Sequence, residues 1–200
     1  MKKMTFQLTG ILIALLCTTT LFAAEVPEYT FTPIPTEQKF ALTITKLKED
    51  AKITLRDQEG IILMTETAKA AGSAYTKVFN LGNLPQGTYI MSIRTSIKET
   101  VQPIVLDARG VTVDGSKRKQ IYSPAVKSTP KHVDVSLYNG QIADVKVSIL
   151  DNNSRLVFEE ELENVLLVEK RYSTEKLQWG RYTMIVETPY HVYSHDFAVR

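Results

Sequence analysis

Two copies of one pattern lie about 93 residues apart in this chain. Residues 52–57 (KITLRD) return 94 positions later as residues 146–151 (KVSILD), and residues 84–89 (LPQGTY) return 93 positions later as residues 177–182 (LQWGRY). A repeat of this length is too long for one unit of a solenoid and suits a small domain with its own hydrophobic core. The duplication therefore predicts two homologous domains.

The beginning of the chain has the layout of a secretory signal peptide. Two lysines precede an apolar stretch at residues 11–16, and small residues follow it. We expect residues 1–24 to be a signal peptide, with the mature chain starting near Glu25. No stable membrane span is expected after its removal. An uncleaved anchor is the alternative, and it is disfavoured because the apolar core of the leader is shorter than the ~20 residues that cross a bilayer.

The mature part has balanced charge and no cysteine. It holds 22 Lys plus Arg against 22 Asp plus Glu, because two leader lysines account for the net charge of +2. This balance favours neither nucleic acid nor an anionic membrane as a partner. The one cysteine, Cys17, lies in the leader. The mature chain must therefore be stabilised by packing and not by disulfides.

Alternating apolar residues predict strands throughout the mature chain. Residues 40–44 and residues 133–137 show a period of two, which is typical of half-buried strands. Each copy has about seven such runs separated by turn signals. We expect an all-β fold of two tandem antiparallel immunoglobulin-like β-sandwiches. The predicted domains are residues 25–113 and residues 120–200, joined by a short linker at residues 114–119.

Local chemistry predicts turns and corners. Residues 57–60 (DQEG) and residues 151–154 (DNNS) are expected to be hairpin tips, with Asn replacing Gly in the second. Tyr89 and Tyr182 recur at equivalent positions and are expected to be core or corner residues. Residues 159–168 fit a strand, a short helix or an irregular loop equally well, because a run of acids precedes an apolar run.

The repeated elements resemble a known family of secreted domains. Each copy opens with an aromatic-x-Pro motif, at residues 31–33 and residues 122–124, and continues into the strands quoted above. This pattern is similar to small secreted β-sandwich domains of Bacteroidota, including the C-terminal sorting domains of the type IX secretion system. The resemblance spans nearly the whole mature chain. It implies fold and export more strongly than function.

The chain also departs from that family. Ile34 and Ala125 stand where the family usually has Asn, and residues 195–200 lack a lysine-rich final strand. A sorting domain normally follows a cargo enzyme or adhesin, whereas this sequence consists of two such units. These departures argue against residues 122–200 acting as a sorting signal.

The sequence predicts no catalytic residue, no cofactor and no metal site. The mature chain has no nucleophile elbow and no phosphate-binding glycine loop. His191 and His195 fall on a predicted strand, where ~13 Å separates them and one zinc ion cannot bind both. We expect them to be exposed or rim histidines on a terminal strand. The acidic residues at the two hairpin tips lack the spacing of a calcium loop and are explained as turn caps.

Two groups of side chains are candidates for a ligand surface. Aromatic residues found only in the second copy suit a carbohydrate platform, and a basic patch in the linker suits an anionic glycan. A solvated linker is the simpler and preferred explanation of the basic patch. The candidates are Trp179, Tyr190, Tyr193, Lys117, Arg118 and Lys119.

We therefore expect an exported, non-enzymatic tandem β-sandwich that acts as a structural, adhesive or binding module of the cell envelope. Its partner would be an envelope protein or glycan, and its location periplasmic, on the outer surface or secreted. The alternative is a periplasmic two-domain chaperone that acts by β-strand addition. Such chaperones use a long edge strand, and residues 75–81 (YTKVFNL) form a short candidate. An active site assembled from distant loops would leave no local motif, so an enzyme is also open.

Overall fold

The structure is a computed structural model that describes residues 27–70 and 74–200. This part of the chain forms fourteen β-strands and one 3-10 turn, without an α-helix. It therefore contains no helix long and apolar enough to cross a membrane. The predicted signal peptide, residues 1–24, lies outside the described residues.

The first copy and the segment after it form nine strands. They are β1 (Glu28–Pro33), β2 (Lys39–Thr45), β3 (Ala51–Arg56), β4 (Ile62–Ala68), β5 (Tyr75–Asn80), β6 (Gly87–Arg94), β7 (Lys98–Asp107), β8 (Gly110–Val113) and β9 (Lys119–Tyr122). One sheet has the order β1-β2-β5, and the other has the order β4-β3-β6-β7-β8. β9 pairs with β7 next to β8.

Five strands form the second copy. They are β10 (Ala125–Ser128), β11 (His132–Asp151), β12 (Leu156–Ser173), β13 (Gly180–Glu187) and β14 (Val192–Val199). β11 and β12 form a long hairpin that shifts register between Tyr138 and Ala143. The first half of β11 pairs with β10 and the second half pairs with β13. Each half of this hairpin thus takes the place of a separate strand in the first copy.

Asn139 holds the bend of this hairpin. Its side chain is buried, and its Nδ2 donates to the backbone oxygens of Ala143 at 2.7 Å and Val165 at 2.9 Å. Ile142 and Asn164 have positive φ angles of 47° and 49° at the same place. The amide therefore satisfies carbonyls that the bulge removes from the β-ladder.

The two copies share one strand order and one set of core positions. The register aligns β1, β2 and β5 with β10, the first half of β11 and the second half of β12, in that order. It aligns β3, β6 and β7 with the second half of β11, with β13 and with β14, in that order. This confirms the predicted all-β fold of two antiparallel immunoglobulin-like sandwiches. The buried counterparts are Phe40 and Val133, Leu42 and Val135, Ile44 and Leu137, Ile53 and Val147, Leu55 and Ile149, Met91 and Met184, Ile93 and Val186.

The repeated tyrosines are corner residues, as predicted. Tyr89 is 5% exposed and its hydroxyl donates to the backbone oxygen of Pro85 at 2.6 Å. Tyr182 is 7% exposed and its hydroxyl donates to the backbone oxygen of Gln178 at 2.8 Å. Each ring fills the core while its hydroxyl fastens the loop that enters the strand.

The acidic segment at residues 159–168 is a strand within β12, which resolves the three alternatives. Most of its acids face solvent, whereas Glu160 points across the sandwich, 2.7 Å from Nζ of Lys170, and accepts from the Tyr172 hydroxyl at 2.8 Å. Glu66 and Lys77 form the same ion pair in the first copy. Inward-pointing charges at a sheet edge discourage edge-to-edge pairing, so the fold repeats this protection.

Both predicted hairpin tips are present, with one correction. In the first tip the amide of Gly60 donates to the oxygen of Asp57, and Gly60 has a φ of 86°. In the second tip the residue with positive φ is Ser154, at 60°, and not an asparagine. Asp151 compensates by accepting from the amides of Asn153 and Arg155 through its Oδ1. The aspartates are turn caps, as predicted.

The segment predicted as a linker, residues 114–119, is ordered structure. Asp114 caps the 3-10 turn Gly115–Lys117, with its Oδ1 3.0 Å from the Ser116 amide. Lys119 starts β9, which gives backbone partners to the part of β7 that β8 leaves uncovered. Residues 120–122 therefore extend a sheet of the first copy. The division into residues 25–113 and 120–200 stays a prediction.

Candidate functional site

The contact between the two copies centres on a buried carboxylate. Glu99, the second residue of β7, is 4% exposed. Its Oε2 accepts from Nη2 of Arg94 at 2.6 Å and from Nε of Arg94 at 3.1 Å. The same oxygen lies 2.7 Å from Nε2 of His191. Arg94 is opposite Glu99 in the β6–β7 ladder, whereas His191 precedes β14. One carboxylate thus ties both copies together.

The surroundings of Glu99 keep it ionised. Burial alone would raise the pKa of Glu99, because it removes water from the charged form. Hydrogen bonds from Arg94 and Ser92, together with the charges of Arg94 and His191, outweigh burial and hold the pKa of Glu99 below its ordinary value. The buried negative charge is therefore compensated where it lies.

A second group of contacts holds the chain between β9 and β10. The amide of Ser123 donates to the oxygen of Ile97 at 2.9 Å, at the tip of the β6–β7 hairpin. The Tyr193 hydroxyl donates to the oxygen of Tyr122 at 3.3 Å, and burial raises its pKa. The rings of Tyr193 and His191 meet edge to face, with centroids 5.8 Å apart. The connection is thus bound on both sides.

Repeated threonines shape the two hairpin tips at this junction. The Thr95 hydroxyl donates to the oxygen of Lys98 at 3.2 Å, and the Thr188 hydroxyl donates to the oxygen of His191 at 3.1 Å. The same three-residue spacing closes both tips. His191 is consequently placed at the end of a fixed turn, from which its ring reaches Glu99.

A cleft lies next to the junction, between β10 and β14. It encloses about 480 Å³. The two buried side chains of Met184 and Val186 line it, as do serines from both copies and the half-buried His195. The cleft is lined by Ser96, Ser123, Pro124, Val126, Met184, Val186, Val192, Tyr193, Ser194 and His195.

The structure separates the aromatic residues predicted as one ligand surface. Trp179 is 86% exposed and precedes β13, whereas Tyr190 is 41% exposed and follows β13. The eight residues of β13 place them on the order of 26 Å apart. Tyr193 lies at the junction and lines the cleft. Only Tyr193 of these three therefore belongs to the cleft lining.

The basic patch is also divided. Arg118 is committed within the first copy: its Nη1 donates to the oxygen of Tyr29 at 2.9 Å and its Nε to Oε1 of Gln102 at 3.0 Å. Its guanidinium also lies over the Phe31 ring, 5.2 Å from the centroid. Lys117 and Lys119 are exposed. Arg118 therefore fastens the segment after β8 to β1 and β7.

The three histidines lie in different surroundings. Glu99 and Arg94 contact His191 at the junction, which was not predicted. His195 lines the cleft, and His132 lies 3.4 Å from Oδ2 of Asp134. In residues 27–70 and 74–200, no three metal-ligating side chains come together as an ion would require.

Arg94 and Glu99 were not predicted from the sequence. The signal that could have found them is a departure from the repeat, since the equivalent positions of the second copy hold Glu187 and Val192. A charged pair facing across two strands, present in one copy only, indicates a contact that the other copy does not make.

Residues 30–107 match the family model of the secretion system C-terminal sorting domain. The match runs from β1 to the end of β7, so it covers the first copy and less than half of the chain. This confirms the resemblance to sorting domains and locates the matching segment in the first copy. No curated protein sequence matches the chain.

Solved structures with similar sandwiches have low sequence identity to this chain. A segment of two fibronectin type III domains from chicken tenascin is 9% identical with a TM-score of 0.31, and the match covers 86% of this chain and 98% of that one. The FN1–FN3 domains of chicken CNTN1 are 10% identical with a TM-score of 0.30, covering 86% and 66%. The BSP domain of a biofilm associated protein is 13% identical with a TM-score of 0.29, covering 84% and 29%. This chain therefore spans less than a third of the last structure.

Proposed function

We propose that this exported β-sandwich protein is a non-enzymatic binding or structural module of the cell envelope. The match of residues 30–107 to a sorting domain supports export. The observation that carries the proposal is the junction, where Glu99 is shared by Arg94 and His191. A module of this kind presents the surfaces of two sandwiches at a set spacing.

The chemistry of the junction suits a fixed joint. A buried ion pair adds little net stability, because removing two charges from water opposes their attraction. It does select one geometry, since any rearrangement would leave the carboxylate buried and unpaired. The chain between β9 and β10 is bound at Tyr122 and Ser123, so it does not act as a loose tether.

A repeated apolar edge supports a protein as the partner. Ile62 and Leu63 in β4 are 54% and 40% exposed, and Leu156 and Val157 in β12 are 55% and 44% exposed. The register places both pairs just after the hairpin tips, at equivalent positions of the two copies. Contiguous apolar residues exposed on an edge strand are typical of protein-binding surfaces.

A periplasmic chaperone acting by β-strand addition is the second candidate. The strand considered for this role, residues 75–81, corresponds to β5, which has six residues and lies at the end of its sheet. β12 offers a longer edge of 18 residues, most of them exposed, but the inward-pointing Glu160 discourages pairing at this edge. Co-purification with a subunit that folds only when bound would favour the chaperone over the proposed module.

Cell fractionation followed by capture from the solubilised envelope tests the proposal. We expect the tagged protein in envelope or surface fractions, with a partner that the double variant Leu156→Asp, Val157→Asp no longer captures. Val105→Asp, an exposed change on β7, is the matched control and should leave capture intact. Hydrolysis of a glycan or peptide substrate that one substitution abolishes would contradict the non-enzymatic role.

A further inference from the structure

The outer edge of β7 is covered by the chain that follows it. β8 pairs with residues 104–107 and β9 pairs with residues 98–101, both antiparallel. β8 also contacts β1 and β2, so it closes the side of the sandwich where the first and last strands face each other. Val111 and Val113 pack onto the hydrophobic core from this position.

Arg118 and Gln102 complete this closure. Gln102 is fully buried on β7, and its Nε2 donates to the oxygen of Asp114 at 2.9 Å while its Oε1 accepts from Arg118. Arg118 in turn reaches Tyr29 on β1. Residues 110–122 therefore act as a strand-like filler between β1 and β7.

The second copy presents the same side without such a filler among the described residues. β14 is the counterpart of β7 and lies at the end of its sheet. In the register, His195 takes the place of Gln102, Phe197 that of Ile104 and Val199 that of Leu106. The cleft touches β14 at residues 192–195, whose counterparts in the first copy are residues 99–102, so it occupies the position that β9 and Arg118 fill there.

We propose that the cleft between β10 and β14 accepts an extended strand of a partner protein, which pairs antiparallel with β14 as residues 110–122 pair with β7. The edge of β14 offers backbone donors and acceptors that a peptide chain can satisfy along its length. Beyond the cleft, toward the end of β14, small β-branched side chains at alternate positions of the bound strand would pack beside Phe197 and Val199, as Val113 and Val111 do beside their counterparts.

The position of the cleft favours a strand over a compact ligand. Ser96 and Ser123 line it, so it is continuous with the junction and with the β7–β9 pairing. A strand bound there would repeat the pairing of β8 and β9 with the edge of β7 in the first copy. His195 replaces the buried Gln102, which places a side chain able to hydrogen-bond the incoming backbone at that position.

A synthetic peptide of residues 110–122 (GVTVDGSKRKQIY) is the probe, because its sequence fits the equivalent edge. Backbone amide exchange of the mature chain is followed by NMR with and without the peptide. We expect exchange of outer-edge amides in β14 to slow at least tenfold at saturation. A peptide with the same side chains and N-methylated backbone is the matched control and should produce no protection.

The variant Ser194→Trp tests the location of binding. Ser194 is exposed and lines the cleft, so the bulky ring should occupy the cleft and weaken peptide binding at least tenfold. The N-methylated peptide keeps the test valid if this variant folds poorly. Absence of protection on β14, or protection on β4 or β12 instead, would overturn the proposal. Protection of β14 in a dimer without peptide would assign the cleft to a second copy and also overturn it.

This inference rests on the proposed binding role but can fail separately. If Ser194→Trp still captures the partner and the peptide does not protect the β14 amides, the cleft is not the strand-binding site. The proposed role as an envelope module would then remain. Strand binding by a protein that is absent from the envelope fractions would reject the envelope role and keep the cleft.

Discussion

Replacing Glu99 with glutamine probes the junction directly. The substitution keeps the side-chain shape and removes the charge that Arg94 and His191 meet. The Arg94 side chain is 50% exposed, so solvent screening limits the contribution of the Arg94–Glu99 bond to stability to roughly 0.5–1 kcal/mol. The His191 side chain is 22% exposed, which brings its bond closer to the ~1.5 kcal/mol of a charge-assisted hydrogen bond. We expect Glu99→Gln to lower the free energy of unfolding by about 2 kcal/mol, or about 4–8 °C in Tm.

The lowered pKa of Glu99 determines how its contribution to stability changes with pH. The pKa of Glu99 is lower in the folded chain than its ordinary value, which is about 4.3 in an unfolded chain. A carboxylate of this kind stabilises the fold above its unfolded pKa, and the contribution is lost as the pH falls through the folded pKa. The difference in the free energy of unfolding between the natural chain and Glu99→Gln should therefore be largest at neutral pH. It should shrink as the pH drops below about 4.

Urea unfolding followed by circular dichroism at pH 7 and in acid measures both effects. Glu59→Gln, at an exposed hairpin tip, is the matched control and should change the free energy of unfolding by less than about 0.5 kcal/mol. The reasoning is refuted if Glu99→Gln is as mild as this control at pH 7. A loss that is independent of pH would also refute it, because the effect would then not arise from the charge.

Four further substitutions test the fold by the same urea measurement. Tyr89→Phe and Tyr182→Phe should each cost about 1–2 kcal/mol, because each hydroxyl loses its bond to a loop carbonyl, and a neutral result in either copy would contradict the corner role. Gly110→Ala should cost on the order of 2–3 kcal/mol, because φ is 127° and a Cβ would lie 2.8 Å from a backbone oxygen of the β1–β2 turn. Gly115→Ala, with open space around the added Cβ, should be mild, and equal costs would argue against strain at Gly110. Asn139→Ala should cost about 2–3 kcal/mol by leaving two carbonyls at the bend without a donor, and fast amide exchange should appear there; unchanged exchange would contradict its role.

Local patterns predicted a large part of the fold. Residues 40–44 and 133–137 were expected to be strands because inward positions of a half-buried strand must be apolar, and their apolar members are buried. The corner tyrosines and the capping aspartates also follow from local chemistry. Residues 159–168 could not be assigned in this way, because Glu160 is accommodated only by Lys170 and Tyr172 from a distant part of β12.

The site residues were predicted less accurately than the fold, for a similar reason. Trp179 and Tyr190 were grouped by residue type, but the length of β13 separates them. Arg118 was grouped with its basic neighbours, but it contacts Tyr29, which lies 89 positions away. Residue type indicates what a side chain can bind, whereas its neighbours decide whether it is already engaged.

The repeat in the sequence was enough to establish two similar sandwiches, because strand periodicity and turn chemistry act over a few residues and occur twice. The use of residues 119–122 as an edge strand, the Glu99 junction and the cleft beside β14 emerged only from the folded chain. These features depend on which strand edges remain uncovered and on contacts between residues as far apart as Arg94 and His191. Such contacts form only after the local elements have packed, so a local pattern does not specify which residues meet.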